Sequence, residues 1–358
     1  MRLRFALAVC GMVLLLGCQA ASSGSRPSAP AGGAPAASTP SPAAGSPAAA
    51  APTAPSLQRI TVAYVAPSES FAIPWIAYEA GLFAKHGLDA NLTLLTGSPR
   101  LVQSLVAGDF EFGLAGVTAI MRARLQGADT AILAATSDHS TQRLMVNPQA
   151  NIQRVQDLRG KLVGVSQYGS EADTFIRIVL SRAGIPADEV QILQMGGHPQ
   201  TAAALASGNL DAGVLAGAPA RAAEQAGAVR LQGQQELQVL APEGTLATTR
   251  RYIEREPDVV RRFMRAYVEA VHLLKTDRAQ SIEIMRKYMA DLSPEEVGYL
   301  YDQVRDMKPV PAPSDEAIQA VLDRESDPQA RAMQPADFTA LQFLRELEAS
   351  GFVDALYR

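Results

Sequence analysis

Cysteine is nearly missing from this chain: its two copies, Cys10 and Cys18, both fall within the first 18 positions. Everything downstream therefore has no disulfide, no thiolate metal site and no cysteine nucleophile. An apolar core has to supply the stability, and a body of about 300 residues is long enough for one and suggests two globular units. Histidine is sparse as well. His86, His139, His198 and His272 are scattered without metal-ligand spacing, so no metal and no other cofactor is expected. No Gly-rich phosphate loop of the P-loop type and no Gly-x-Ser-x-Gly element occurs. Basic runs are wanting too. The formal charge is −4, and about −6 without Arg2 and Arg4, which argues against nucleic acid as a partner. The apolar run 5–16 is shorter than the roughly 20 residues that span a bilayer.

That run follows Arg2 and Arg4 and fits the core of a secretory signal peptide. It ends in Leu15-Leu16-Gly17-Cys18, which resembles the bacterial lipobox. The resemblance implies a signal peptide over 1–17 and lipidation of Cys18. Residues 18–57 are almost wholly Ala, Pro, Ser, Gly and Thr, with Arg26 as the one charge. Such a segment cannot bury enough apolar surface to offset its ordering entropy, so a disordered, partly extended linker is expected. Together these features predict an exported lipoprotein facing the periplasm or cell exterior, held at the membrane by its lipid alone.

The body opens with an alternating, β-branched run at 59–65, read as a strand. Pro67 and Ser68 end it, and a helix through Trp75, Ile76 and Glu79 stops at Gly81. A strand at 88–95, a helix near 100–107, a strand near 111–115, a helix near 119–125 and a strand near 130–136 follow. Strands alternating with helices over short loops predict an α/β fold with a largely parallel sheet. A second series begins at Asp157. Its strand ends at 164–166, Ser170 is placed to cap a helix with Asp173 at the third position, and Gly184 suits the C′ site.

The two series echo each other at an offset of one hundred residues. Gly97-Ser-Pro99 matches Gly197-His-Pro199, Leu105-Val-Ala-Gly108 matches Leu205-Ala-Ser-Gly208, and Asp109-Phe-Glu-Phe-Gly113 aligns with Asn209-Leu-Asp-Ala-Gly213. Two related lobes are the expectation. After Thr245 the character becomes helical. Pro257 opens a long helix with Val260, Phe263, Met264, Tyr267, Val271 and Leu274 on one face. Ser293-Pro-Glu-Glu296 is a capping box, and Asp337 precedes a last helix through Leu341, Leu344 and Leu347 that Gly351 closes.

Several segments taken in order carry a wider resemblance: 60–95 (with Glu79-Ala-Gly-Leu-Phe83 and Lys85-His-Gly-Leu88), 105–113, 157–166, 205–215 and Leu347-Glu-Ala-Ser-Gly-Phe352. Together they resemble the solute-binding proteins for nitrate, sulfonates and taurine, and the related thiamine-pyrimidine-precursor binders. The resemblance covers nearly all of 58–358. It implies a type II periplasmic binding protein fold, two α/β lobes joined by crossover segments near 136–143 and 239–248, with ligand in the cleft between them. Lobe 1 would take 58–140, lobe 2 would take 141–243, and 244–358 would return to lobe 1 with the C-terminal helices. The implied function is the substrate-binding component of an ABC importer. It would work as a monomer with an ABC permease and ATPase, and capture a small polar or anionic organic solute of the sulfonate, nitrate, taurine or pyrimidine-like kind. A sensory binding protein that presents ligand to a receptor would use the same closed form. Enzymes of pyrimidine formation and of the menaquinone pathway share similar folds, but they are intracellular, and the pyrimidine-forming ones carry a Cys-rich segment missing here. No catalytic residue is therefore assigned, and the chain is read as a binding protein, not an enzyme.

In open α/β sheets, ligands bind beyond the carboxyl ends of the strands, at the N-termini of the following helices. The candidate ligand-binding residues are accordingly Ser68, Phe71, Trp75, Gly97, Ser98, Gly116, Thr118, Asp138, Gly169, Ser170, Thr174, Gly197, His198 and Gly217. Phe71, Trp75, Tyr168 and His198 would offer flat walls. Asp138 lies near a crossover, and Arg100 or Arg143 could supply a fixed cation.

Overall fold

Period-two alternation in Gln-Arg-Ile-Thr-Val-Ala-Tyr produces the first strand, β1 (Gln58–Tyr64), with Ile60 and Val62 in the core. The structure, a computed structural model, describes residues 57–233 and 235–358. The signal peptide, Cys18 and the linker through residue 56 lie outside the described residues.

Eleven further strands follow among the described residues: β2 (Leu88–Leu94), β3 (Phe112–Ala115), β4 (Thr130–Ala134), β5 (Ser137–His139), β6 (Arg143–Val146), β7 (Leu162–Val165), β8 (Gln191–Gln194), β9 (Ala212–Leu215), β10 (Val229–Arg230), β11 (Leu240–Glu243) and β12 (Thr245–Thr249). They form two five-stranded sheets with matching order, β2-β1-β3-β12-β4 and β8-β7-β9-β6-β10. In each, the first three strands run parallel and the fourth is antiparallel to both its neighbours. That fourth strand comes from chain that has just crossed from the other sheet. The crossing segments themselves pair as a short antiparallel ribbon, β5 with β11, in the register His139 to Leu240 and Ser137 to Glu243. The mixed α/β architecture read from the sequence is the one observed.

The hundred-residue echo marks the same βα units in the two sheets. Helix Ser98–Ala107 corresponds to His198–Ala206, β3 to β9, and Val117–Leu125 to Gly217–Gln225. The shared glycines have a packing cause. A Cβ on Gly113 would sit 2.7 Å from Leu101 Cδ2, and one on Gly213 would sit 2.9 Å from Thr201 Cγ2, so each helix lies directly on its strand at the same place.

Local signals placed the helix ends well. Ser293 and Glu296 close their capping box in both directions, at 3.3 and 2.8 Å. Ser170 Oγ accepts from the Asp173 N–H, but the Asp173 carboxylate accepts from Gly169 N, one residue earlier than a standard box. The long helix Pro257–Thr276 buries its expected face; Phe263 stacks on Phe112 at 3.8 Å and on Phe83 at 5.2 Å. The last long helix differs. It begins at Gln342, because Asp337 is spent in a 3₁₀ turn, Pro335–Asp337, accepting from the Gln334 N–H. Gly351 ends it in a left-handed conformation, and a short helix, Phe352–Leu356, follows. Among the described residues no helix is long and apolar enough to cross a membrane.

Candidate functional site

The turns that follow β1, β2, β3, β7, β8 and β9 face one cavity of about 1090 Å³, so both sheets contribute their strand ends to it. The crossing segments add Thr141, Gln142 and Glu243, and the C-terminal helices add Tyr288 to Leu292. Of the residues singled out from the sequence, Ser68, Phe71, Gly97, Ser98, Gly116, Thr118, Gly169, Ser170, Thr174, His198 and Gly217 line this cavity, as does Tyr168. Ser98 Oγ accepts from the Gly116 N–H at 3.0 Å, tying two of the turns together.

Three candidates are placed elsewhere. Trp75 is fully buried, stacked on Tyr288 at 4.7 Å and edge-on to Tyr64 at 5.4 Å. Its helix, Ala72–Glu79, turns it into the core, and Tyr288 reaches the cavity wall in its place. Asp138 accepts from Lys308 Nζ at 2.7 Å and from the Ser314 N–H at 2.8 Å, so it ties the ribbon to the C-terminal segment. Burial alone would raise its pKa, but these hydrogen bonds and the Lys308 charge hold it below the usual aspartate value. Gly197, outside the lining, is extended and opens its helix, and its carbonyl accepts from Thr201 N–H and Oγ1. Neither arginine supplies a fixed cation to the wall. Arg100 is exposed outside the lining, and Arg143 is directed at Tyr299 Oη (2.8 Å) and Gln303 Oε1 (2.6 Å).

Three acidic side chains on the wall, Glu69, Glu171 and Glu243, were not singled out from the sequence, and Asp291 and Arg122 also line it. Glu69 follows Ser68 in the turn after β1, and Glu171 follows Ser170 in the turn after β7, the equivalent strand of the second sheet. Each reaches across to the opposite sheet. Glu171 Oε1 lies 2.5 Å from where a Cβ on Gly116 would be, and Glu69 Oε2 lies 3.4 Å from the same point on Gly217. Glycine at these two helix starts leaves room for the carboxylates. The repeated Ser-Glu pair, one after the first strand of each series, is the signal that would have found them.

Burial pushes all three carboxyls above the usual glutamate range. Glu69 and Glu243 are almost wholly enclosed, whereas Glu171 is exposed. Glu243 is raised furthest, since the charges of Glu171 and Glu69 add to its burial, while the Thr141 N–H it accepts at 3.3 Å works the other way. Burial pushes the His198 imidazole below its usual pKa, against an opposing hydrogen bond at the Val214 backbone. Its Nδ1, and Oε1 of Gln142, are buried without a hydrogen-bond partner among the described residues. No group of three or more His, Cys, Asp or Glu among the described residues is arranged to hold a metal ion.

Compared with known proteins, residues 69–280 match the family model described as NMT1/THI5 like. A Brucella abortus protein named as a binding protein is 36% identical over 154 residues, which is 43% of this chain and 46% of the relative. The chain thus matches about half the length of such relatives. Among solved structures, the periplasmic aliphatic sulphonate-binding protein SsuA of Escherichia coli superposes with a TM-score of 0.65 at 21% identity, covering 77% of this chain and 92% of that one. The periplasmic nitrate-binding protein NrtA of Synechocystis gives 0.65 at 14% identity, covering 83% and 90%. A Candida albicans gene product described as having the generic periplasmic binding protein fold gives 0.59 at 15% identity, covering 82% and 95%. These likenesses show the fold.

Proposed function

Since the chain belongs to the NMT1/THI5-like family, we propose that it is the solute-binding component of an ABC importer, capturing a small organic solute between two lobes. The observation that carries this reading is the convergence of strand-end turns from both sheets on one cavity of about 1090 Å³. That is just above the roughly 300–1,000 Å³ usual for small-molecule sites. The lobes in this reading are 58–140 with 244–358, and 141–243, hinged where β5 pairs with β11. Solute favours the closed arrangement only through its higher affinity for it, and the closed form is what a permease with its ATPase would receive. Export, tethering through a lipid on Cys18 and a monomeric state belong to the same proposal. The names of the relatives support it: the Brucella protein is called a binding protein, and the two bacterial structures are periplasmic binding proteins. No catalytic role is assigned to any cavity residue.

Calorimetric titration and thermal unfolding of the full chain test the reading against a panel of amines, amino acids, sulfonates, nitrate and heterocycles. A solute at one hundred times its dissociation constant should stabilise the protein by about 2.7 kcal/mol. Small-angle scattering should show compaction on binding. A panel in which nothing binds would overturn the proposal.

A further inference from the structure

Resting on the solute-binding reading, we infer that the solute is an organic cation, a protonated amine or an amidinium-type group. Glu69, Glu171 and Glu243 take its charge, and Gln142 and His198 accept its remaining N–H groups. The charge balance of the wall points this way. The buried Glu69 and Glu243 and the exposed Glu171 and Asp291 are set against Arg122, the one Lys or Arg in the lining among the described residues, which is already paired with Glu325 at 2.9 Å. An anion placed between Glu69, Glu171 and Glu243 would meet three acidic groups, with Arg143 acting on Glu69 from outside the lining as the opposing charge.

Helix N-termini attract anions. Ser170 Oγ caps Glu171–Arg182, whereas the helix starts at Ser98, Val117, His198 and Gly217 carry no side-chain cap; each such end offers about half a positive charge, set against the acidic groups on the same wall. An independent observation comes from neutral groups. Gln142 is 7% exposed and lines the cavity, yet its carboxamide oxygen has no partner among the described residues. His198 Nδ1, on the same wall, has none among them either. Buried acceptors left unmade are costly, and both call for a donor. Donor-rich and positive is the chemistry of an ammonium or amidinium group.

A simple metal ion does not fit, because the described acidic and imidazole groups make no metal-binding cluster. Glu69 and Glu171 follow strands of the two sheets and reach the opposite one, and Glu243 comes from the crossing ribbon between them, so an extended organic cation can reach them together. Their convergence also links charge to closure. Bringing Glu69 and Glu171 past each other is opposed while the cavity lacks a positive charge, and a bound cation removes that opposition.

The test is calorimetric titration of the full chain with matched pairs: hexylamine against hexanesulfonate, benzamidine against benzenesulfonate, with nitrate, uncharged pyrimidines and divalent metal ions alongside. The cationic member should bind at least about tenfold tighter, as charge-assisted bonds to desolvated carboxylates require. Glu243→Gln, which keeps shape and removes charge, should weaken amine binding by about tenfold or more without lowering the unfolding midpoint. Glu171→Gln serves as a second variant should the first fold poorly. Tighter binding of a sulfonate, nitrate, an uncharged pyrimidine or a metal ion would overturn the cation inference and leave the solute-binding reading standing. Binding by no probe would overturn both.

Discussion

Gly244 sits where β11 meets β12, between the cavity residue Glu243 and the strand that completes the first sheet. Its φ is +58°, and an added Cβ would collide with Thr136 Oγ1 and the backbone carbonyl oxygen of Ser70. Neither neighbour yields easily. The Thr136 hydroxyl donates to the Glu243 carbonyl, as does its backbone N–H, and the Ser70 oxygen belongs to the chain that carries Glu69. Gly244→Ala therefore incurs two costs. A non-glycine residue in the left-handed region loses about 1–2 kcal/mol, and overpacking against fixed atoms costs about 1–3 kcal/mol more. The matched control is Gly81→Ala, at φ +69° with no atom within 4 Å of the added Cβ, which incurs the first cost alone. Urea unfolding of both variants should place Gly244→Ala about 1–3 kcal/mol below Gly81→Ala at equal m-value. At roughly 2–4 °C per kcal/mol the thermal midpoints should differ by about 2–12 °C. Two variants within about 0.5 kcal/mol of each other, inside the usual scatter of neutral substitutions, would refute this account of how the hinge is packed against the site.

Trp75→Ala should cost about 3–5 kcal/mol in chemical denaturation; a loss below about 1 kcal/mol would contradict its place in the core against Tyr288. Lys308→Ala should cost about 1 kcal/mol or less, because the lysine is largely exposed and its pairing is screened by solvent. The Asp138 carboxyl is depressed, so its contribution is complete above the usual aspartate pKa of 3.8 and is lost as pH falls below it. Acid unfolding of Lys308→Ala should show a shallower limb there. For the raised Glu243 the sign is opposite: its contribution is present below the reference value of 4.5 and is lost as pH rises above it. Thermal midpoints of unliganded wild type should therefore fall relative to Glu243→Gln between mildly acid and neutral pH. Burial is the main cause, joined by the charges of Glu171 and Glu69, with Thr141 and Ser140 donating to Glu243 and Arg143 acting on Glu69 in the other direction. A constant difference between the two proteins across that range would refute the raised Glu243.

What the sequence determined by itself is what neighbours a few residues apart determine. Strand and helix alternation, the caps at Ser170 and Ser293, Pro257 in a first turn and Gly184 and Gly351 at helix ends are local backbone matters. The hundred-residue echo was legible because one helix-on-strand contact recurs, with glycine required at 113 and 213. The turns facing the cavity could be named for the same reason, since a strand end is a local feature. Direction and partnership could not. Trp75 looks like a cleft residue by its position, but Tyr288, brought beside it from the far end of the chain, claims it for the core. Asp138 is claimed likewise by Lys308. The short strands β5 and β11 have no period of their own and exist because two crossings lie side by side. Above all, Glu69, Glu171 and Glu243 become one charged site only when the two sheets face each other. Coulomb forces and desolvation depend on distances in space, and the chain order carries none of those distances.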